Sequence, residues 1–414
     1  MKGTILTVGD EILIGQIVNS NASWLGEQLR LVGVDVVRMD TVGDRVEDIG
    51  SAIEQGFERG DFVVVTGGLG PTHDDVTREA MAAVCGVPLE RRADVLRDIE
   101  RKFVDRKRSM PDSNRKLADV PRGFDILQNP SGMAPGLWGG RGNKQVVVLP
   151  GVPHEMKAIM KQHVLPRLAQ QSDAVVLHRT LLTAGQGESA LAELLGELSD
   201  VLSNGVSLAY LPGSGVVRLR VTSKGEDRSS VEAGLQMALQ RIYGILGDRI
   251  LGEDDQTLEG VVGGMLRERG LSIATAESCT GGAVASAITS IPGSSDYFLG
   301  GVVAYDNSVK VAQLGVDGRD LDRYGAVSEA VALQMASGVR RAFGADLGIS
   351  TTGIAGPDGG TPEKPVGTVW LGFDSADGNH ATRLQLTGDR LINIQLSTTG
   401  ALNFVRRQLL RADQ

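Results

Sequence analysis

Cysteine is scarce. The 414 residues include two, Cys85 and Cys279, far apart in the chain. A disulfide framework is therefore not expected, and a reducing compartment fits. Positive charge is also short: 42 lysines and arginines face 51 aspartates and glutamates, for a formal net charge of -9. That balance argues against direct, nonspecific nucleic-acid binding. No apolar run is long enough to span a bilayer. The N-terminal MKGTILTVGDEILIG lacks the apolar core of a secretory signal, and neither an internal repeat nor a low-complexity tract stands out. The expectation is a soluble cytoplasmic protein without membrane contact. Its 41% hydrophobic residues can bury real cores, and the length suggests about two to four domains.

What is present begins with TGGLGPTHDDVTRE, residues 66–79. It follows an apolar run, Phe62 to Val65, that reads as a buried strand. Gly67, Gly68 and Gly70 allow close backbone approach to a ligand, and a glycine-rich turn between strand and helix offers N–H groups to phosphate. Asp74 and Asp75 stand before the helix. Paired carboxylates beside phosphate suggest a divalent cation, although an aspartate cap would look similar. Upstream, strands near Ile5–Val8 and Val34–Val37 alternate with helices near Ala22–Leu31 and Val46–Arg59. This pattern predicts a mostly parallel sheet with helices on both faces, and ligands of such sheets sit beyond the carboxyl ends of strands. Glu11, Asn19, Asp44 and Asp75 fall at such ends. A loop at 129–136, with Ser131 and Gly132, and a helix opening at Pro153, with Glu155 in its first turn, join the same edge.

From about 174 to 251 the pattern becomes strand, helix, two strands, helix. This small α+β module is KH-like in order but has no GxxG loop between paired helices, so a spacer or dimerising role is expected. Residues 252–256, GEDDQ, read as a polar joint between independent domains. Beyond it, ESCTGG (277–282) follows a strand and precedes a helix, again suited to an anionic ligand. IPGSS (291–295) is a turn containing Gly293 and Ser295. Tyr305 and Lys310 come shortly after another strand, from which Lys310 could fold back toward that turn. Thr352-Gly353 opens a third glycine-rich loop. A serine hydroxyl needs a base, and lysine serves when burial lowers its pKa. Cys279, at a predicted helix start, is a rival nucleophile; a buried small residue is the simpler reading of it.

Together these motifs resemble the CinA family over essentially the whole chain. GDEILIGQIVNSNASWL, TGGLGPTHDDVT and PGVPHEM resemble the MoaB/MogA-like, molybdopterin-binding fold. ESCTGG, IPGSS, VVAYDNSVK and TTGIAGPDGGTPEKPVGTV resemble the PncC-type nicotinamide mononucleotide (NMN) deamidase. The resemblance implies an α/β chain of three domains: 1–170 MoaB/MogA-like, 171–251 KH-like, and 252–414 deamidase. It implies a bifunctional hydrolase of pyridine-nucleotide recycling. The first domain would cleave ADP-ribose with a divalent metal (Mg, Mn or Co). The last would deamidate NMN without a cofactor. The molecule would be a homodimer.

The same resemblance points to Ser295 as nucleophile and Lys310 as its base, with Tyr305 alongside. Ser278, Thr280, Gly293, Thr352, Gly353 and Arg390 would line that nucleotide site. In the first domain Asp75 and Asp44 would be catalytic, and Asp74, Asp75 and Glu155 the metal candidates. Gly67, Gly68, Gly70, Asn19, Ser131 and Gly132 would bind substrate. Asp306, where the family usually differs, would raise the pKa of Lys310. A molybdopterin-binding or adenylylating protein, or a non-enzymatic scaffold in competence, stays open.

Overall fold

The computed structural model describes residues 1–171 and 174–412. They form two compact units, Met1–Leu177 with Lys224–Val231, and His178–Ser223 with Glu232–Gln414.

The first unit is built on six strands in the order Asp35–Val42, Lys2–Val8, Phe62–Thr66, Lys144–Leu149, Gly136–Arg141 and Asp125–Leu127. The first four are parallel, and an antiparallel pair extends them. The period of two along a strand sends alternate side chains to opposite faces. Val63 and Val65 pack with Ile49, Ile53 and Phe57 of the helix Val46–Arg59. Phe62 and Val64 pack on the other face with Leu25 and Leu29 of the helix Ser20–Leu31. That helix starts two residues earlier than the apolar pattern implied, because the Asn19 side chain accepts the Ala22 N–H at 3.0 Å and caps it. Val8 pairs with Val42, Thr7 with Thr66, and Thr66 with Leu149. The parallel strands therefore end level, and the loops after them share one edge.

The second unit contains two sheets. One has the order Val206–Pro212, Val216–Gly225, Val175–Ala184 and Ile250–Glu253, with helices Glu188–Leu195 and Arg228–Leu246. Its fourth strand was not expected, and the joint that follows is not free. The Asp254 N–H donates to the Thr180 carbonyl at 2.7 Å. Arg218 donates to the carbonyls of Asp254 at 2.7 Å and Gln256 at 3.0 Å. Leu182, Ala184 and Leu251 share a core with Leu258, Val262 and Leu266 of the next helix. The polar composition of 252–256 thus reflects hydrogen bonding in place, not a loose linker.

The other sheet has the order Phe298–Val303, Ile273–Glu277, Leu347–Gly353, Thr368–Ser375 and Gly378–Gln385. The first three strands are parallel and the last two antiparallel. The helix Glu329–Phe343, capped by the Ser328 side chain, buries Val331, Met335 and Val339 against Ala274 and Ala276. It lies so close that a Cβ at Gly348 would stand 2.1 Å from the Ala336 carbonyl. Helices Leu258–Arg269 and Arg390–Ala412 cover the opposite face, with Leu266, Leu402 and Val405 on Ile273 and Ile349. No helix among the described residues is long and apolar enough to cross a membrane.

Candidate active sites

In the first unit the level strand ends enclose a cavity of about 670 Å³. Its wall includes Gly67, Gly68 and Gly70 of the glycine-rich turn, Ser131 and Gly132 from the facing loop, and Asn19. Gly68 has φ 65°, and a Cβ there would meet the Thr77 hydroxyl at 2.1 Å. Two residues that the sequence reading missed set this turn. Thr77 donates its hydroxyl to the Gly67 carbonyl at 2.9 Å. Arg78, 2% exposed, donates to the carbonyls of Leu69 and Gly70, each at 2.8 Å. Burial lowers the pKa of Arg78. The only trace of this role in the sequence is an arginine placed where the next helix starts to pack.

The carboxylates do not assemble as expected. The Asp75 carboxylate accepts the N–H of Gly70 at 2.7 Å and of Thr72 at 2.9 Å, and the Thr72 hydroxyl as well. It closes the turn. Glu155 lies against Gly132 and accepts from the Asn129 side chain at 2.6 Å. Asp74, Asp75 and Glu155 all line the cavity, but among the described residues no three acidic, histidine or cysteine side chains converge on one point. Asp44 is different. It lines the cavity with Asp74, and its pKa is raised, first by burial and also by the charges of Asp10, Glu11 and Asp74, against the lowering effect of the Asp10 N–H. A cation there would relieve that repulsion.

Asn19 is committed to the fold: besides its cap it donates to the hydroxyls of Thr7 at 3.0 Å and Thr41 at 3.3 Å. The N–H groups of Ser131 and Gly132 are taken by the Asn129 Oδ1. The residue with unspent capacity is Asn21, two positions beyond Asn19. It lines the cavity and is 8% exposed. Its amide donates to the Gly151 carbonyl at 2.7 Å, and its Oδ1 has no partner among the described residues. A buried acceptor left unpaired is costly, which suits a ligand donor.

The C-terminal sheet ends in a different arrangement. Glu277, 1% exposed at the end of its strand, turns its carboxylate onto the start of the helix Ala283–Thr289. It accepts the N–H groups of Gly282 at 2.9 Å, Val284 at 3.0 Å and Ala285 at 2.8 Å. The helix N-terminus expected to hold an anionic ligand is therefore filled by the protein's own carboxylate. The Thr280 hydroxyl is spent on Glu277 at 2.7 Å and Thr351 at 2.6 Å, and that of Thr352 on the Ala326 carbonyl at 2.8 Å. These two threonines build the loops through their hydroxyl donors, which leaves a hydroxyl lone pair on each able to accept from a ligand. A glutamate closing the apolar strand IATAE was the signal available in the sequence.

Lys310 lies on the same sheet edge, in the helix Asn307–Leu314. It is 1% exposed, and its Nζ donates to the Tyr305 carbonyl at 3.1 Å. Burial lowers its pKa. Asp306 raises it as expected, and so does Cys279, but burial dominates. Asp306 is chiefly a helix cap, accepting from the Ser308 N–H at 2.8 Å. Beside the lysine, Tyr305 is exposed, and its hydroxyl accepts from Arg390 at 2.7 Å. Arg390 also donates to the Gly356 carbonyl at 2.8 Å, which fixes the loop after Gly353. Asn393, fully buried, holds the Ala355 carbonyl of that loop at 2.9 Å. The thiol of Cys279 is pushed up to about 12, mainly by burial, so it is no thiolate at neutral pH.

Ser278 shares the Lys310 edge, near the middle of the sheet: its N–H donates to the Thr351 carbonyl at 2.9 Å. Ser295 and Gly293 do not. They precede the strand Phe298–Val303, whereas Lys310 follows it. Gly293 accepts from Arg267, at the end of the helix Leu258–Arg269, at 3.1 Å. The intervening strand spans roughly 17 Å at ~3.3 Å per residue. Lys310 thus cannot fold back to the Ser295 turn of its own chain.

Comparison with known proteins matches three consecutive segments. Residues 4–170 match the probable molybdopterin binding domain, 178–252 the damage-inducible protein CinA KH domain, and 255–409 the CinA C-terminal domain. A CinA-like protein of Salinibacter ruber is 50% identical over 99% of this chain and 100% of its own length. One from Gloeothece citriformis is 44% identical over 99% of both. A crystal structure of the protein CinA with unknown function from Thermoplasma acidophilum, 40% identical, covers 39% of this chain and 94% of its own, with a TM-score of 0.37.

Proposed function

The chain belongs to the CinA family, and from that premise we propose that its C-terminal domain hydrolyses the carboxamide of nicotinamide mononucleotide, giving nicotinic acid mononucleotide and ammonia. The observation that carries this reading is Lys310, a buried amine whose pKa burial lowers. A neutral lysine can take a proton from a serine hydroxyl. Ser295 is exposed, and its hydroxyl has no partner among the described residues. Its Oγ would form a bond to the amide carbon as its proton passes to the Lys310 Nζ of a second chain in a homodimer, because Lys310 of the same chain lies beyond the far end of the intervening strand. The tetrahedral adduct would then expel ammonia, the lysine returning the proton to the leaving nitrogen. Water would next add to the ester carbon, its proton going to Lys310. Expulsion of the serine oxygen, reprotonated by Lys310, would release the acid. Arg390 and Tyr305 suit the nucleotide's phosphate.

A second activity is favoured by the N-terminal cavity, whose volume suits a nucleotide. There we infer hydrolysis of ADP-ribose to AMP and ribose 5-phosphate. Asp44 and Asp74 would hold a divalent cation that neutralises the pyrophosphate; such a cation needs only one or two protein carboxylates beside its phosphates. Asn21 would accept a hydrogen bond from the ligand, and the pinned turn would present backbone to phosphate.

The two activities are tested by incubating the protein with each substrate and separating products by chromatography. Chelation should abolish ADP-ribose cleavage and spare NMN deamidation. Equal loss of both would remove the two-site reading. Tight molybdopterin binding without ADP-ribose turnover would favour a cofactor-binding role for the first domain.

A further inference from the structure

The chain is acidic overall, with a formal net charge of -9, yet four arginines meet in the second unit. Arg406, Arg407 and Arg411 lie in the last turns of the helix Arg390–Ala412. Arg249 comes from the short turn before the strand Ile250–Glu253. With Gln186 and Asn403 they line a cavity of about 440 Å³ whose one carboxylate is Asp248. Arg249, Arg407 and Arg411 are exposed and have no ion pair among the described residues. Cations at a helix C-terminus complement its dipole, which accounts for Arg407 and Arg411. It does not account for Arg249 or for Arg406, which is 8% exposed. The Arg406 Nε donates to the Asn403 Oδ1 at 3.2 Å, and one terminal nitrogen donates to the Asp248 carbonyl at 3.1 Å. Its other terminal nitrogen has no partner among the described residues, and no carboxylate pairs with it there. Burial lowers its pKa most; Asp248 raises it, and the charge of Arg407 lowers it further. A buried cation without a counter-ion is costly, and an anion seated among these arginines would offset that cost.

Gly185, Gln186 and Asn403 also line a second cavity, of about 430 Å³. Its wall is largely aliphatic, with Val216 and Val217 from the KH-like sheet and Leu384, Leu386 and Leu396 from the C-terminal domain. A cationic chamber and an apolar one therefore adjoin. The Asn403 Nδ2 has no partner among the described residues. It stands 3.1 Å from where a Cβ on Gly185 would lie, so glycine at that position leaves this donor open where the chambers meet. We propose that the two chambers together bind a nucleoside diphosphate, its phosphates among the arginines and its base and ribose against the aliphatic wall. Guanidinium groups hold phosphate oxygens through paired N–H donors. Each chamber has the size of a ligand site, and the two match a molecule with one charged end and one flat, weakly polar end. The site is separate from both candidate active sites. None of its lining residues borders the cavity of the first unit, and Ser278, Ser295, Lys310 and Arg390 are not among them. The KH-like order without a GxxG loop favours a small molecule over a nucleic-acid strand.

Calorimetry on the full chain tests this with ADP, pyrophosphate and adenosine as probes. ADP should bind, pyrophosphate about tenfold more weakly, and adenosine not measurably. Arg407→Glu/Arg411→Glu should weaken ADP about a hundredfold. Arg407→Gln/Arg411→Gln should act in the same direction, and it stands in if charge reversal unfolds the helix end. Gly187 lines the apolar chamber, and a Cβ there would meet nothing within 4 Å. Gly187→Phe should occupy that chamber, weaken ADP about tenfold and leave pyrophosphate unchanged. Location is read separately from affinity, because ADP resembles the ligand inferred for the first unit. Photolabelling with 8-azido-ADP should mark peptides within 185–217 or 384–403, and both arginine variants should lose that label. Labelling confined to the first unit, or ADP binding and labelling unchanged in both arginine variants, would overturn the inference. Pyrophosphate bound as tightly as ADP, with Gly187→Phe inert, would overturn the nucleoside assignment. So would a single-stranded RNA that binds more tightly than ADP and is lost in the arginine variants.

Discussion

Glu277 holds Ala285 by a 2.8 Å hydrogen bond from the backbone N–H to the carboxylate. The same carboxylate also takes Gly282 and Val284. Removing it would leave these helix-start donors without acceptors, at a cost of about 3 kcal/mol. Glu277→Ala should therefore speed amide exchange of Val284 and Ala285 by roughly a hundredfold. Glu277→Gln, which keeps one acceptor oxygen, should have a smaller effect. Unchanged exchange in the alanine variant would show that the cap contributes nothing to this helix.

Lys310 sets a pH dependence. Its folded pKa lies below the usual lysine value of 10.5 because of burial. The neutral base accumulates as pH rises through the lowered value, so deamidation should climb along an acid limb that ends below 10.5. Asp306 raises the lysine pKa; Asp306→Asn, which retains a capping oxygen, should move that limb to lower pH. Between the lowered pKa and 10.5 the unfolded chain binds more protons than the folded one. Wild-type stability should then rise with pH across that window, and Lys310→Met should lack the rise. A limb unmoved by Asp306→Asn would remove Lys310 as the titrating base.

Cys279 is buried and its thiol is pushed up to about 12. Cys279→Ala should keep most NMN turnover, and iodoacetamide should leave the wild type active. Rapid inactivation protected by NMN would point instead to a reactive thiol.

Arg78 pins the glycine-rich turn through two carbonyls. Arg78→Met should destabilise the first unit by about 2–3 kcal/mol. Because the turn presents backbone to phosphate, KM for ADP-ribose should rise about tenfold with a smaller change in kcat. NMN deamidation should be untouched. Arg78→Lys, restoring one donor, should recover part of the loss. An unchanged KM would make Arg78 a purely structural residue.

Local chemistry was legible in the sequence. The helix Val46–Arg59 and the Pro153 helix start stand where their residues predict. Each depends on neighbours within a few positions, where helical and strand periods act. The loop positions of the glycine-rich turns were legible for the same reason, and they placed Gly67, Asp44 and Glu155 around one cavity. What those side chains do there was decided by tertiary structure. Asp75 turned out to accept the N–H groups of Gly70 and Thr72. Glu277 filled a helix start that composition alone left open to a ligand. Burial of Lys310 outweighed the neighbouring Asp306. The length and position of the strand Phe298–Val303 held Ser295 and Lys310 apart. A motif names which groups a chain carries; strand order and packing determine which of them meet, because partners distant in sequence are chosen by the sheet.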